Sequence, residues 1–95
     1  MTVEELRTEL ESLVSDLSNS GFDNIDSGTV EKLDKFAVSA SELGMNEGKR
    51  LIENLSGTMQ AIRDGKSNAD SGTLRLTALG FYVKNFSGSE QTEEL

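Results

Sequence analysis

Apolar residues at Val3, Leu6, Leu10, Leu13, Val14 and Leu17 recur at spacings of three and four. That is the rhythm of an amphipathic helix. Thr2 and Glu5 stand at capping-box spacing at its start, and Gly21 is suited to the left-handed residue that ends a helix. The pattern predicts a first helix over about 2–19. A second stripe, Val30, Leu33, Phe36 or Ala37, Ala40 and Leu43, predicts a helix over 27–43 that stops at Gly44. Leu51, Ile52, Leu55, Met59 and Ile62 predict a third over 46–63, ended by Asp64-Gly65. Leu76, Leu79, Val83 and Phe86 form one face of a fourth over 68–86, with Leu74, Ala78 and Phe81 beside it. No stretch alternates cleanly between apolar and polar, so strand signals are almost absent.

Helices joined by links of a few residues pack as antiparallel neighbours. The fold class expected is therefore all-α, an antiparallel up-down-up-down four-helix bundle. One domain over residues 1–86 would be followed by a flexible acidic tail over 87–95, SGSEQTEEL. A 95-residue chain can bury a modest core without covalent staples.

Charge narrows the function. The net charge is −8, from 17 acidic and 9 basic residues. Nucleic acids and anionic membranes draw proteins through Lys and Arg, so neither partner is expected. The N-terminus, MTVEELRTELE, lacks the apolar run of a signal peptide, and a cytoplasmic location is expected. The chain has no Cys and no His. Thiolate chemistry is thereby excluded, as are the commonest general base and the commonest zinc ligand. No carboxylate falls on an otherwise apolar stripe, so no catalytic residue and no cofactor or metal site is expected.

The string NIDSGTV at 24–30 returns as NADSGTL at 68–74. Laying residues 1–44 over 45–88 without a gap gives ten identical positions, among them Gly21 with Gly65 and Gly44 with Gly88. Each half then reads as a helical hairpin, with the shared string at the start of its second helix. Asp and Ser are strong N-caps, and an acid there suits the helix dipole. A capping role is expected in both places. The ten matches do not decide between duplication and coincidence. A calcium loop over Asp23–Asp34 is a poor fit. Its third position would be Ile25, and its twelfth an Asp in place of the usual Glu. The glycines at 48, 57, 72 and 80 are expected to permit close helix approach rather than to cradle phosphate.

The stretch LDKFAVSASELGMNEGKRLIENL (33–55) resembles histidine-phosphotransfer (HPt) domains. Leu43-Gly44 matches that family's Leu-Gly, and Ser39, Ala40 and Ser41 match its run of small residues. The ending, residues 59–86, is similar to the family's last hairpin. The resemblance implies a four-helix bundle that meets receiver domains or histidine kinases. Counting back from Gly44 puts Asp34 at the phospho-accepting position, with Ala37 and Val38 at the Lys and Gly positions. The phospho-accepting His is missing. The resemblance therefore implies a non-catalytic module that keeps a docking face of Asp34, Ala37, Val38 and Ser41. Two other readings stand beside it. One is a helical adaptor or oligomer subunit with no phosphorelay connection, monomeric or weakly self-associating through a face such as Leu74, Phe81 and Tyr82. The other is an acyl-carrier-like protein with Ser27 as the attachment point, although the Asp-Ser-Leu of such proteins is here Asp26-Ser27-Gly28.

Overall fold

The computed structural model describes residues 1–22 and 25–86. Asp23, with which the calcium-loop reading begins, Asn24 of the shared string and the acidic tail expected at 87–95 lie outside the described residues. The chain forms four helices, α1 (Val3–Ser20), α2 (Ser27–Glu42), α3 (Asn46–Arg63) and α4 (Ala69–Asn85), with no strand among the described residues. None of these helices is long and apolar enough to cross a membrane.

Three of the four helices start on a side-chain cap; α3, which begins after Met45, makes no side-chain cap bond. At α1 the Thr2 hydroxyl accepts from the Glu5 amide at 3.1 Å, and the Thr2 amide donates to Glu5 Oε1 at 2.8 Å. This is the capping box its sequence predicted. Gly44 and Gly65 end α2 and α3 with φ near +78° and +77°. After each, the next amide reaches back into the helix: Met45 donates to the Ala40 carbonyl and Lys66 to the Ala61 carbonyl, both at 2.8 Å. Those bonds form a Schellman motif, which needs a residue tolerant of positive φ. The link from α2 to α3 is consequently only Leu43–Met45, and Met45 is buried as it turns the corner.

The helices pack in a ring. α2 lies against α3, α3 against α4 and α4 against α1, while α1 and α2 share the least. α1 and α4 run in opposite sequence directions. Arg7 Nε donates to the Val83 carbonyl at 3.4 Å, Val14 crowds Gly80, and Phe22 crowds Gly72. The Arg7 contact also places a cation on a last-turn carbonyl of α4, where the helix dipole favours it. One continuous core fills the ring. Leu6, Leu10, Leu33, Ile52, Leu55, Met59 and Leu79 are its largest fully buried side chains. Both Phe36 and Ala37 are inward on α2. Phe22, outside any helix, closes one end.

Two glycines are set by packing. A Cβ on Gly48 would stand 2.9 Å from the Tyr82 hydroxyl, and one on Gly72 would stand 3.0 Å from Phe22 and Ile62. Gly57 departs from expectation, because a Cβ there would meet nothing within 4 Å. It faces open space on the outside of α3, so close approach is not its reason.

The shared string caps both helices but not with the same residue. Asp26 is the N-cap of α2, its Oδ1 accepting from the Gly28 amide at 3.1 Å. In α4 the cap is Asn68, which accepts from the Ser71 amide at 3.1 Å. The expectation that Asp and Ser cap both helices is therefore corrected. Asp70 and Ser71 already lie inside the first turn of α4, where Asp70 meets the positive end of the dipole. The gapless register fails further along too. It pairs the buried Val30, Leu33 and Ala37 of α2 with Leu74, Thr77 and Phe81, all exposed on α4. Moving the register by one residue pairs Leu33, Phe36 and Ala40 with Leu76, Leu79 and Val83, all buried. One residue is about 100° of helix rotation. The two halves share a string but do not share a core register along its length.

Candidate functional site

Apart from Met1, three large apolar side chains are well exposed among the described residues: Val38 at 59%, Leu74 at 65% and Phe81 at 71%. They mark two separate surfaces.

The first is a shallow groove between α2 and α3, of about 370 Å³, lined by Asp34, Ala37, Val38, Ser41, Glu42, Lys49 and Glu53. All four residues of the sequence-predicted docking face meet here. They do not all present themselves equally. Val38, Asp34 and Ser41 are exposed, whereas Ala37 is only 5% exposed and belongs to the core, reaching the groove as its floor. Asp34 is committed to an internal contact. Its Oδ1 accepts from the Ser56 hydroxyl at 2.9 Å, and Ser56 is 3% exposed. A buried hydroxyl left without a partner is costly, so Asp34 has a structural task on α3. Lys49 and Glu53 close the rim as an ion pair at 3.2 Å.

The second surface is the outer face of α4. Leu74, Ala78 and Phe81 are exposed and follow one another at i, i+4 and i+7, which places them on one stripe. Phe81 stands between two grooves. The one toward α1, of about 420 Å³, has walls that include Val14, Ser18, Thr73 and Gly80. The one toward α3, of about 520 Å³, is walled by Arg50, Leu51, Tyr82 and Phe86. Tyr82 does not share the exposure that the sequence reading gave it. It is half-buried over Gly48 and stacks at a tilt on Phe86, ring centres 5.3 Å apart. Its place on the stripe belongs to Ala78.

Charge differs across the molecule. Residues 1–44 carry ten acids and three bases, residues 45–95 seven and six. α1 exposes Glu4, Glu5, Glu9, Glu11 and Asp16, while α4 carries only Asp70, Arg75 and Lys84. The α3 rim of the second surface holds an ion pair and hydrogen bond between Arg50 and Glu47. Hydrogen bonding from Arg50 holds the Glu47 carboxyl below the usual carboxylate range, and the same contact raises Arg50.

Ser27 is exposed as the first residue of α2, beside the capping Asp26. Among the described residues no three acidic side chains draw together as a metal site would require. The sequence reading reached this surface through Leu74 and Phe81, because a helix apolar on two faces has more apolar area than one core needs. Comparison with protein-family models, curated proteins and solved structures finds no match to this chain.

Proposed function

We propose that this chain is a non-catalytic protein-interaction module that works through the outer face of α4. The observation that carries the reading is the stripe of Leu74, Ala78 and Phe81, with its two largest members 65% and 71% exposed. A folded chain gains about 25 cal/mol for each Å² of apolar surface it removes from water. A Leu and a Phe kept outside on one stripe, flanked by two grooves, form the contiguous apolar patch typical of contact surfaces. A chain without His or Cys suits binding better than acid–base or nucleophilic chemistry.

The test is capture from a lysate of the source cell, with the wild type, Phe81→Glu and Val38→Glu immobilised in parallel. All three should show the same helical circular dichroism, since both substituted positions are exposed. The proposal expects a protein retained by wild type and Val38→Glu and lost with Phe81→Glu. Equal retention by wild type and Phe81→Glu would overturn it.

A second reading rests on Val38, exposed over the floor made by Ala37. In an HPt-like module this groove would seat a receiver domain or histidine kinase of a two-component phosphorelay. Binding of a purified receiver, lost on Val38→Glu, supports that reading. Val38 is the better probe than Asp34, whose removal also strips Ser56 of its partner.

A further inference from the structure

We propose that the occupant of the α4 face is a second copy of this chain, docked as an antiparallel α4–α4 pair about a twofold axis near Thr77 and Ala78. The inference rests on the reading of α4 as the interaction surface and names its partner.

Three observations meet in this arrangement. First, the stripe is self-complementary. Leu74 and Phe81 lie symmetrically about the Thr77–Ala78 peptide bond, so a twofold axis there sets Leu74 of one copy against Phe81 of the other, twice. An isologous contact of that kind closes on itself. Second, the charges match. Lys84 lines the groove toward α1, and helical spacing puts Asp70 on the same edge of the stripe; they stand near opposite ends of the helix, and both are exposed. Neither takes part in an ion pair among the described residues. The same twofold axis keeps each flank on its own side and reverses its direction. Asp70 of each copy therefore comes opposite Lys84 of the other. Third, two chains of net charge −8 repel, and they repel least where acids are fewest. α4 carries two bases against one acid, whereas α1 presents a row of acids.

The contact is modest in size. A helix of 17 residues is about 25 Å long and about 10 Å across. That footprint falls short of the ~800 Å² per partner of a standard interface. The dimer is thus a weak one, set by concentration.

Sedimentation equilibrium of the full chain, from dilute solution to about 1 mM, reads it directly. The expected result is a mass that rises from monomer toward dimer. Phe81→Glu should raise the dissociation constant by at least about tenfold, and Asp70→Lys should also weaken the dimer. Adding Lys84→Asp to Asp70→Lys should restore the dimer. A purely local effect of Lys at the start of α4 would not be reversed in that way. A monomer mass at every concentration overturns the proposal. So does a dimer indifferent to Phe81→Glu, or a double variant no tighter than Asp70→Lys alone. A protein that stays monomeric yet binds a different partner through Phe81 refutes the second copy and leaves the interaction reading standing.

Discussion

α2 and α4 begin from the same residues, D-S-G-T, and finish with opposite surfaces. α2 turns Val30, Leu33, Phe36, Ala37 and Ala40 inward and leaves one large apolar residue, Val38, outside. α4 turns Leu76, Leu79 and Val83 inward and leaves Leu74, Ala78 and Phe81 outside. The string itself does not set the rotation of the helix. Its cap falls on Asp26 in one case and on Asn68, two places earlier in the string, in the other. Packing decides which face is buried. α4 touches both α1 and α3, and Gly72 and Gly48 let it approach closely on its inner side. Local sequence can start a helix in either place, but only long-range contacts choose the side that meets water.

The largest expected effect separates the two apolar faces of α4. Leu79→Ala should cost about 2–5 kcal/mol, because Leu79 is fully buried and its removal leaves a cavity. Leu74→Ala, the same change on the outer face, should stay within about 0.5 kcal/mol. Urea unfolding of both variants measures the contrast. A larger loss at Leu74 would mean that the repeated string does set the register and that α4 is rotated.

The next effect concerns the outer side of α2. Asp34→Ala should cost about 1–3 kcal/mol by stranding the buried Ser56 hydroxyl. Much of that should return in the Asp34→Ala, Ser56→Ala double variant, where no polar group is left unpaired. A double variant that loses the sum of both single losses would remove Asp34 from its structural role.

Caps come third. Asp26→Ala and Asn68→Ala should each cost about 1 kcal/mol. Asp70→Ala should cost only about 0.3–0.5 kcal/mol, through the dipole. Equal losses at Asp26 and Asp70 would show that the two copies of the string are used alike.

The smallest effect is electrostatic. Hydrogen bonding from Arg50 lowers the folded-state pKa of Glu47, so the pair stabilises the fold above the ordinary carboxylate range. That contribution is lost as the pH falls through the lowered value. Both groups are solvent-exposed, and such pairs are weak. Glu47→Gln should therefore flatten the acid limb of stability against pH only slightly, and leave stability near neutral pH almost unchanged.

Much of this architecture is legible in the sequence because helical periodicity survives in each segment. The stripes of α1, α2 and α3 name their buried residues, and the predicted ends lie within a residue or two of those observed. Phe22 and Met45 escape such a reading because they are buried from links, where no period applies. Ser56 escapes because a polar residue on an inner face looks exposed until its partner on another helix is seen. The α2–α3 groove was legible as a set of residues, but not the difference between Val38 at its rim and Ala37 in its floor. In α4 the face of Leu76, Leu79, Val83 and Phe86 is the buried one, as its spacing predicted. The stripe beside it was legible through Leu74 and Phe81, but not that Ala78 rather than Tyr82 completes it.

The central claim, that the outer face of α4 is a contact surface rather than a second core face, is tested most directly by amide spectra recorded at rising protein concentration. Concentration-dependent shifts should gather on α4 around Leu74, Ala78 and Phe81 and spare the groove at Val38. Shifts that gather at Val38 instead, or spectra that do not change at any concentration while Leu74 and Phe81 are shielded from solvent, would contradict it.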